Sequence, residues 1–285
     1  MKSARSILIA VYVITLAISA QAQSPKSKWA EIDGARLHYY DVGKRKEKDA
    51  LVLIHGWTCN ADFWKDSYRA FPEYRVIAID LPGHGRSDKP RLNYSIEYFA
   101  RSVDAVMKHA GVEKAVLAGH SMGTPVARQF YRLFPTRTLG IIVVDGPLRP
   151  LAPKAQMDKF IAGLRADYRS STAKYIDGML RPIRSGPLRR FIRDGMLATP
   201  DHVGISAIEG MAEEKIWGDD KIDLPVLAVM APLSTWPPGL EDAYKAIAPQ
   251  IDLHVWSDVT HFLMMEKPKE FNEVLGGFIA KKKLL

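Results

Sequence analysis

The stretch Ala115-Val116-Leu117-Ala118-Gly119-His120-Ser121-Met122-Gly123 constrains the fold more than any other part of the chain. An apolar run of the kind that forms a buried strand passes directly into Gly-x-Ser-x-Gly, and a helix follows from near Met122. A turn this tight leaves the serine in a strained backbone conformation. It also demands small residues two positions either side, which Gly119 and Gly123 supply. The helix that leaves it, Pro125 to Phe134, carries its proline in the first turn, where the missing N–H does no harm. The N-terminus of that helix faces Ser121, and its unpaired N–H groups and dipole favour an anion there.

Other strands and helices alternate around this centre. Trp29–Ile32 and Arg36–Val42 read as strands joined by Asp33-Gly34, a strong hairpin signal. Ala50–Ile54, Arg75–Asp80, Thr138–Asp145 and Pro225–Met230 are continuous apolar runs, as strands buried on both faces should be. Ile251–Trp256 is the last strand. Helices are expected over Asp62–Phe71, over Ile96–Ala110 between Ser95 and Gly111, over Glu241–Ala248 and over Pro268–Ala280. From residue 147 to 223 buried strands vanish, and Met, Phe, Tyr, Arg and Pro mix with short helical stretches. The pattern predicts an α/β fold: a mostly parallel sheet of eight strands with right-handed crossovers. Its core is 23–146 and 224–285, and 147–223 form an inserted helical cap.

Residues 1–22 stand apart from this fold. Lys2 and Arg5 precede an apolar run, Ile7–Ile18, too short to span a bilayer comfortably, and Ala20-Gln21-Ala22 is a small-residue cleavage site. This reads as a secretory signal peptide, so the expected location is exported, periplasmic or secreted. Its removal would leave no stable membrane insertion. The formal charge of +8 falls to +6 without Lys2 and Arg5. The charges are scattered, with no run of five alike, so the basic balance points to no nucleic-acid partner. Cys59 is the one cysteine, which leaves no intramolecular disulfide, and metal-ligand spacings such as HExxH and CxxC are absent. It reads as a buried, inert thiol.

Four segments in this order make the chain resemble the α/β-hydrolase superfamily over essentially all of the mature sequence. They are Leu53-Ile54-His55-Gly56-Trp57, Asp80-Leu81-Pro82-Gly83-His84-Gly85-Arg86-Ser87, Gly119-His120-Ser121-Met122-Gly123 and Thr260-His261-Phe262-Leu263. The resemblance implies a serine nucleophile at Ser121, a base at His261, and an oxyanion hole from the backbone N–H groups of Trp57 and Met122. It implies no cofactor and no metal. A serine at the elbow argues against the dehalogenases and epoxide hydrolases of this fold, which carry a carboxylate there.

The acid departs from the commonest family pattern. The loop after Val226–Met230 reads Ala231-Pro232-Leu233-Ser234-Thr235-Trp236-Pro237-Pro238-Gly239, without a carboxylate. Asp145, at the end of the strand after the elbow helix, takes a position that some members use, and is the expected triad acid. Glu241, Asp242 and Asp258 are the other candidates, and a Ser–His dyad is the remaining alternative. Trp57, Trp236, Leu148 and Phe262 are the expected pocket residues.

These features point to a small-molecule substrate and to an exported serine hydrolase of esters or related carbonyl compounds. The alternatives are C–C bond hydrolysis, haloperoxidase-type or cofactor-free dioxygenase chemistry on the same residues, and a catalytically silent binder. For the exported protein, intact-mass analysis should find an N-terminus near Gln23. Retention of Met1 would overturn the signal-peptide reading.

Overall fold

The computed structural model describes residues 25–150, 152–232 and 239–285. The expected signal segment, 1–22, and the expected pocket residue Trp236 lie outside the described residues. Eight strands, β1 (Ser27–Ile32), β2 (Ala35–Gly43), β3 (Asp49–Ile54), β4 (Arg75–Ile79), β5 (Lys114–His120), β6 (Thr138–Val144), β7 (Val226–Met230) and β8 (Ile251–Val255), form one sheet. Their order is β1-β2-β4-β3-β5-β6-β7-β8. Only β2 runs antiparallel to its neighbours β1 and β4; the remaining pairs are parallel. The hairpin forms because Asp33 and Gly34 take positive φ values, 48° and 80°, which a two-residue turn matched to strand twist requires.

Helices α1 (Lys65–Tyr68), α2 (Ile96–Ala110) and α3 (Gly123–Leu133) precede β6. Helices α4 (Lys154–Ala166), α5 (Tyr168–Leu180), α6 (Gly186–Leu197) and α7 (Asp201–Ala212) separate β6 from β7, and α8 (Leu240–Ile247), α9 (Leu263–Glu266) and α10 (Pro268–Lys282) complete the chain. Ser95 caps α2 by accepting from the Tyr98 N–H at 3.1 Å, and Gly111 ends it in the left-handed region at φ 69°. The helix expected over Asp62–Phe71 is instead a 3₁₀ turn, Ala61–Trp64, followed by the short α1. Its first turn is tied down from outside: Asp80 accepts from the Ala61 N–H at 2.7 Å, and Asn60 accepts from the Asp62 N–H at 3.0 Å. Ala50–Ile54 and all of β4 are buried, as strands between neighbours and under helices must be. At the far edge β8 is half-exposed and carries Asp252 and His254, charges that discourage pairing with another chain. Among the described residues no helix is long and apolar enough to cross a membrane.

Helices α4 to α7 fall within the segment expected to be inserted and are called the cap below. One side chain holds both of its roots. Arg128, fully buried on α3, donates through Nη1 to the Leu148 carbonyl at 3.0 Å. Its Nη2 donates to the carbonyls of Gly218 (2.6 Å) and Asp220 (3.0 Å) and to the Asp220 carboxylate (3.1 Å). Burial lowers the Arg128 pKa to about 10, which still leaves it charged at neutral pH. The planar fork reaches acceptors on both sides at once, which a lysine cannot.

The loops leaving β3, β4 and β5 each contain a buried histidine held neutral. His55 donates from Nδ1 to the Gly56 carbonyl at 2.8 Å and accepts at Nε2 from the Leu81 N–H at 3.0 Å, so protonation would cost that second bond. His84 donates from Nδ1 to the Pro82 carbonyl at 2.9 Å, and its Nε2 is buried without a partner. His120 has Nε2 at 2.8 Å from the His261 carbonyl and a buried, unpartnered Nδ1. Desolvation lowers all three pKa values, that of His84 to about 3.

Two outcomes follow from these contacts. Arg128→Met should lower unfolding free energy by on the order of 3 kcal/mol, because several buried carbonyls lose their donor. It should also expose the chain near residues 148 and 218 to protease, with Arg128→Lys restoring only part of the stability. A urea midpoint unchanged from wild type would contradict this. The second concerns acid. Below about pH 6.5 the unfolded chain protonates these histidines while the folded chain does not, so unfolding takes up protons and stability falls with pH. The slope per histidine is up to about 1.4 kcal/mol per pH unit, and for His84 the loss continues down to about 3. Urea unfolding at pH 7.5 and 5.5 checks it; an equal or higher midpoint at pH 5.5 would refute it.

Candidate active site

Ser121 sits between β5 and α3 with φ 52°, in the left-handed region that a residue with a Cβ enters only under constraint. The constraint is close packing of strand and helix. A Cβ on Gly119 would lie 2.2 Å from the Gly123 carbonyl oxygen, and one on Gly123 would lie 2.4 Å from that of Ile54. Neither position admits any other residue. The turn is locked by the Ser121 N–H donating to Val144 at 3.0 Å, the Thr124 N–H donating to Ser121 at 2.9 Å, and Thr124 Oγ1 donating to Gly119 at 2.8 Å.

Asp145 directly follows β6 and also has positive φ, 41°. Its side chain is fully buried and both oxygens are engaged: Oδ1 accepts from the Ala231 N–H at 2.8 Å and Oδ2 from His261 Nδ1 at 2.6 Å. The structure therefore brings Asp145 and His261 together and aims the other imidazole nitrogen away from the carboxylate. The other acids stand elsewhere. Glu241 pairs with Lys245 at 2.7 Å on the exposed start of α8, where Asp242 is also exposed, and Asp258 pairs with Lys267.

His261 is fixed from two further sides. Glu266 Oε1 accepts from the N–H and Oγ1 of Thr260, at 2.8 and 2.6 Å. His120 Nε2–H donates to the His261 carbonyl, with the two rings 4.7 Å apart. His120 occupies the first variable position of Gly-x-Ser-x-Gly, and neither it nor Glu266 belongs to a pattern that local spacing reveals. His120 acts on a residue 141 positions away, a relation no local pattern displays.

The loop after β3 passes beside the serine: a Cβ on Gly56 would lie 3.0 Å from Ser121 Cβ. The backbone N–H groups of Trp57 and Met122 have no protein acceptor among the described residues. Thr58 on that loop is another non-glycine residue with positive φ, 58°, its carbonyl accepting from Thr199 Oγ1 at 3.1 Å. Backbone strain thus gathers at Thr58, Ser121 and Asp145, on three neighbouring loops.

Ser121, Asp145 and His261 line a cleft of ≈ 860 Å³ that opens between the sheet and the cap. Helices α4 and α5 form its other wall, with Phe160, Tyr175 and Met179 as the apolar part. Trp57 stands one layer behind. Its Nε1 donates to the Gly204 carbonyl at 2.8 Å, and its ring meets Phe160 and Tyr175 at 6.1 and 5.8 Å. Trp57 is therefore not among the residues that line the cleft, and two further expected pocket residues are also corrected. Leu148 is fully buried at the cap root, its N–H donating to Tyr244 Oη, and Phe262 is fully buried between Phe63 and His120. Both adjoin lining residues in sequence but point into the core. Cys59 is buried, and desolvation pushes its thiol pKa far up, so it offers no nucleophile.

Residues 49–176 match the α/β hydrolase fold family. The chain is 29% identical over 269 residues to a 2-hydroxy-6-oxononadienedioate/2-hydroxy-6-oxononatrienedioate hydrolase of Paraburkholderia phymatum, covering 86% of this chain and 91% of the relative. It is 29% identical to a non-heme chloroperoxidase of Streptomyces lividans, over 87% and 97% of the two chains. Among solved structures it superposes on a thermophilic esterase from Thermogutta terrifontis with a TM-score of 0.78 at 25% identity, over 90% and 99% of the two chains. These likenesses share one eight-stranded framework, and with it the chain belongs to the α/β-hydrolase superfamily as an enzyme of that fold.

Proposed function

We propose that the protein is a serine hydrolase that cleaves ester-like or other carbonyl substrates through an acyl-enzyme on Ser121. The observation that carries this reading is the 2.6 Å contact between His261 Nδ1 and Asp145 on the cleft that Ser121 lines. In this mechanism Ser121 Oγ attacks the carbonyl carbon and its proton passes to His261 Nε2. Asp145 fixes the imidazole with its proton on Nδ1 and stabilises the imidazolium that forms. The tetrahedral oxyanion lies against the N–H groups of Trp57 and Met122, at the N-terminus of α3. His261 then protonates the leaving group and activates the water that releases the acid. Each oxygen of the buried carboxylate has a donor.

A second reading uses the same residues for C–C bond hydrolysis, and the likeness to the Paraburkholderia phymatum hydrolase favours it. The apolar run and cleavage site in residues 1–22 support a location outside the cytoplasm.

Turnover of p-nitrophenyl esters of graded acyl length, with labelling by a fluorophosphonate, tests the first reading. His261→Ala should lower kcat by at least ~10³-fold with the fold intact. Asp145→Asn should lower it by up to ~10⁴-fold, because the amide favours the wrong tautomer. Asp258→Asn, which removes an exposed pair with Lys267, should cost little. Labelling that survives Ser121→Ala, or an Asp145→Asn variant as active as wild type, would sink the assignment.

A further inference from the structure

Helices α4 and α5 are joined by the single residue Asp167, so they run antiparallel as a hairpin. The hairpin register is visible in two contacts: Ser171 Oγ donates to the Gly163 carbonyl at 2.9 Å, and the rings of Phe160 and Tyr175 lie 5.1 Å apart. Lys159 and Lys174 each precede one of these paired aromatics, and both line the cleft that holds Ser121. The hairpin therefore sets two solvent-exposed lysines on the same cleft wall as Phe160, Tyr175 and Met179.

Neither lysine has a carboxylate partner. The cations at the two ends of α4 do: Lys154 pairs with Asp158 at 2.9 Å and Arg165 with Glu209 at 2.6 Å. No ion pair includes Lys159 or Lys174 among the described residues, and the segments outside them, 1–24, 151 and 233–238, contain no Asp or Glu at all. The one carboxylate lining the cleft is Asp145, and both of its oxygens are already engaged. Two uncompensated positive charges on the wall of a cleft with low-dielectric sides attract and hold an anion.

Resting on the serine-hydrolase reading, we propose that Lys159 and Lys174 select substrates bearing a terminal anion, separated by an apolar spacer from the carbonyl that Ser121 attacks. The anion is a carboxylate or a phosphate monoester. The spacer lies along Phe160, Tyr175 and Met179, and the ammonium groups receive the charge at the far end. Lysines suit this task as mobile point charges that tolerate spacers of different length.

Binding and turnover are measured separately. With Ser121→Ala, calorimetry compares monomethyl esters of long dicarboxylic acids with their dimethyl counterparts. The monoanion should bind about tenfold more tightly at low salt, and the ratio should shrink as salt is raised. In the Lys159→Met/Lys174→Met background the ratio should collapse toward one, and in Lys159→Glu/Lys174→Glu it should fall below one. Urea midpoints of the variants confirm that they are folded. An ω-phosphorylated methyl ester in parallel separates carboxylate from phosphate as the preferred anion. Equal affinity for the charged and neutral esters, or a preference that survives both double variants, would overturn the proposal. Failure to hydrolyse any neutral p-nitrophenyl ester would instead overturn the hydrolase reading, while the affinity ratio still decides the role of the lysines.

Discussion

The structure depends on how closely α3 can lie against the strands beside it. Gly119 and Gly123 bring helix and strand backbones to a separation at which any side chain would collide with a carbonyl. That contact forces Ser121 into positive φ and lifts its hydroxyl out of the sheet. It also aims the N-terminus of α3 at the cleft. Side chains farther along α3 exploit the same docking: Arg128, one turn and a half beyond the elbow, holds the two roots of the cap. The placement of the serine and the attachment of the cap are set by one helix.

The carboxyl ends of the parallel strands are where such a sheet presents its ligands. Here the loops leaving β3, β5 and β6 contribute Trp57, Ser121 and Asp145, and the segment after β8 contributes His261. These loops are stiffened by polar groups withdrawn from water. Neutral His55 ties the first loop to Leu81, and neutral His120 ties the elbow to the His261 segment. Buried imidazoles give direction without charge, which preserves the field around Asp145 and His261.

What the sequence makes legible is what local spacing encodes. The bounds of α2 are fixed by Ser95 and Gly111, and the elbow by its two glycines, because capping and steric rules act within a few residues. Asp145 stood out because it follows a buried strand and precedes a glycine while the alternative loop has no acid, and its carboxylate lies against His261. The direction in which a side chain points across the fold was not legible. Leu148 and Phe262 sit beside lining residues yet turn inward, and the contacts of Arg128 and His120 join distant segments. The 3₁₀ turn at Ala61–Trp64, which stands where a helix was expected, is tied by Asp80 from a different loop.

The aromatic triangle of Trp57, Phe160 and Tyr175 joins two parts that are often regarded as independent modules. Trp57 belongs to the loop that passes beside Ser121, and the other two rings belong to the cap wall of the cleft. Remodelling the cap wall therefore also moves the support of the loop beside Ser121. The shape of the cleft and the position of the loop beside Ser121 share a mechanical element. Evolution or engineering can alter one only along paths that keep the indole anchored to Gly204.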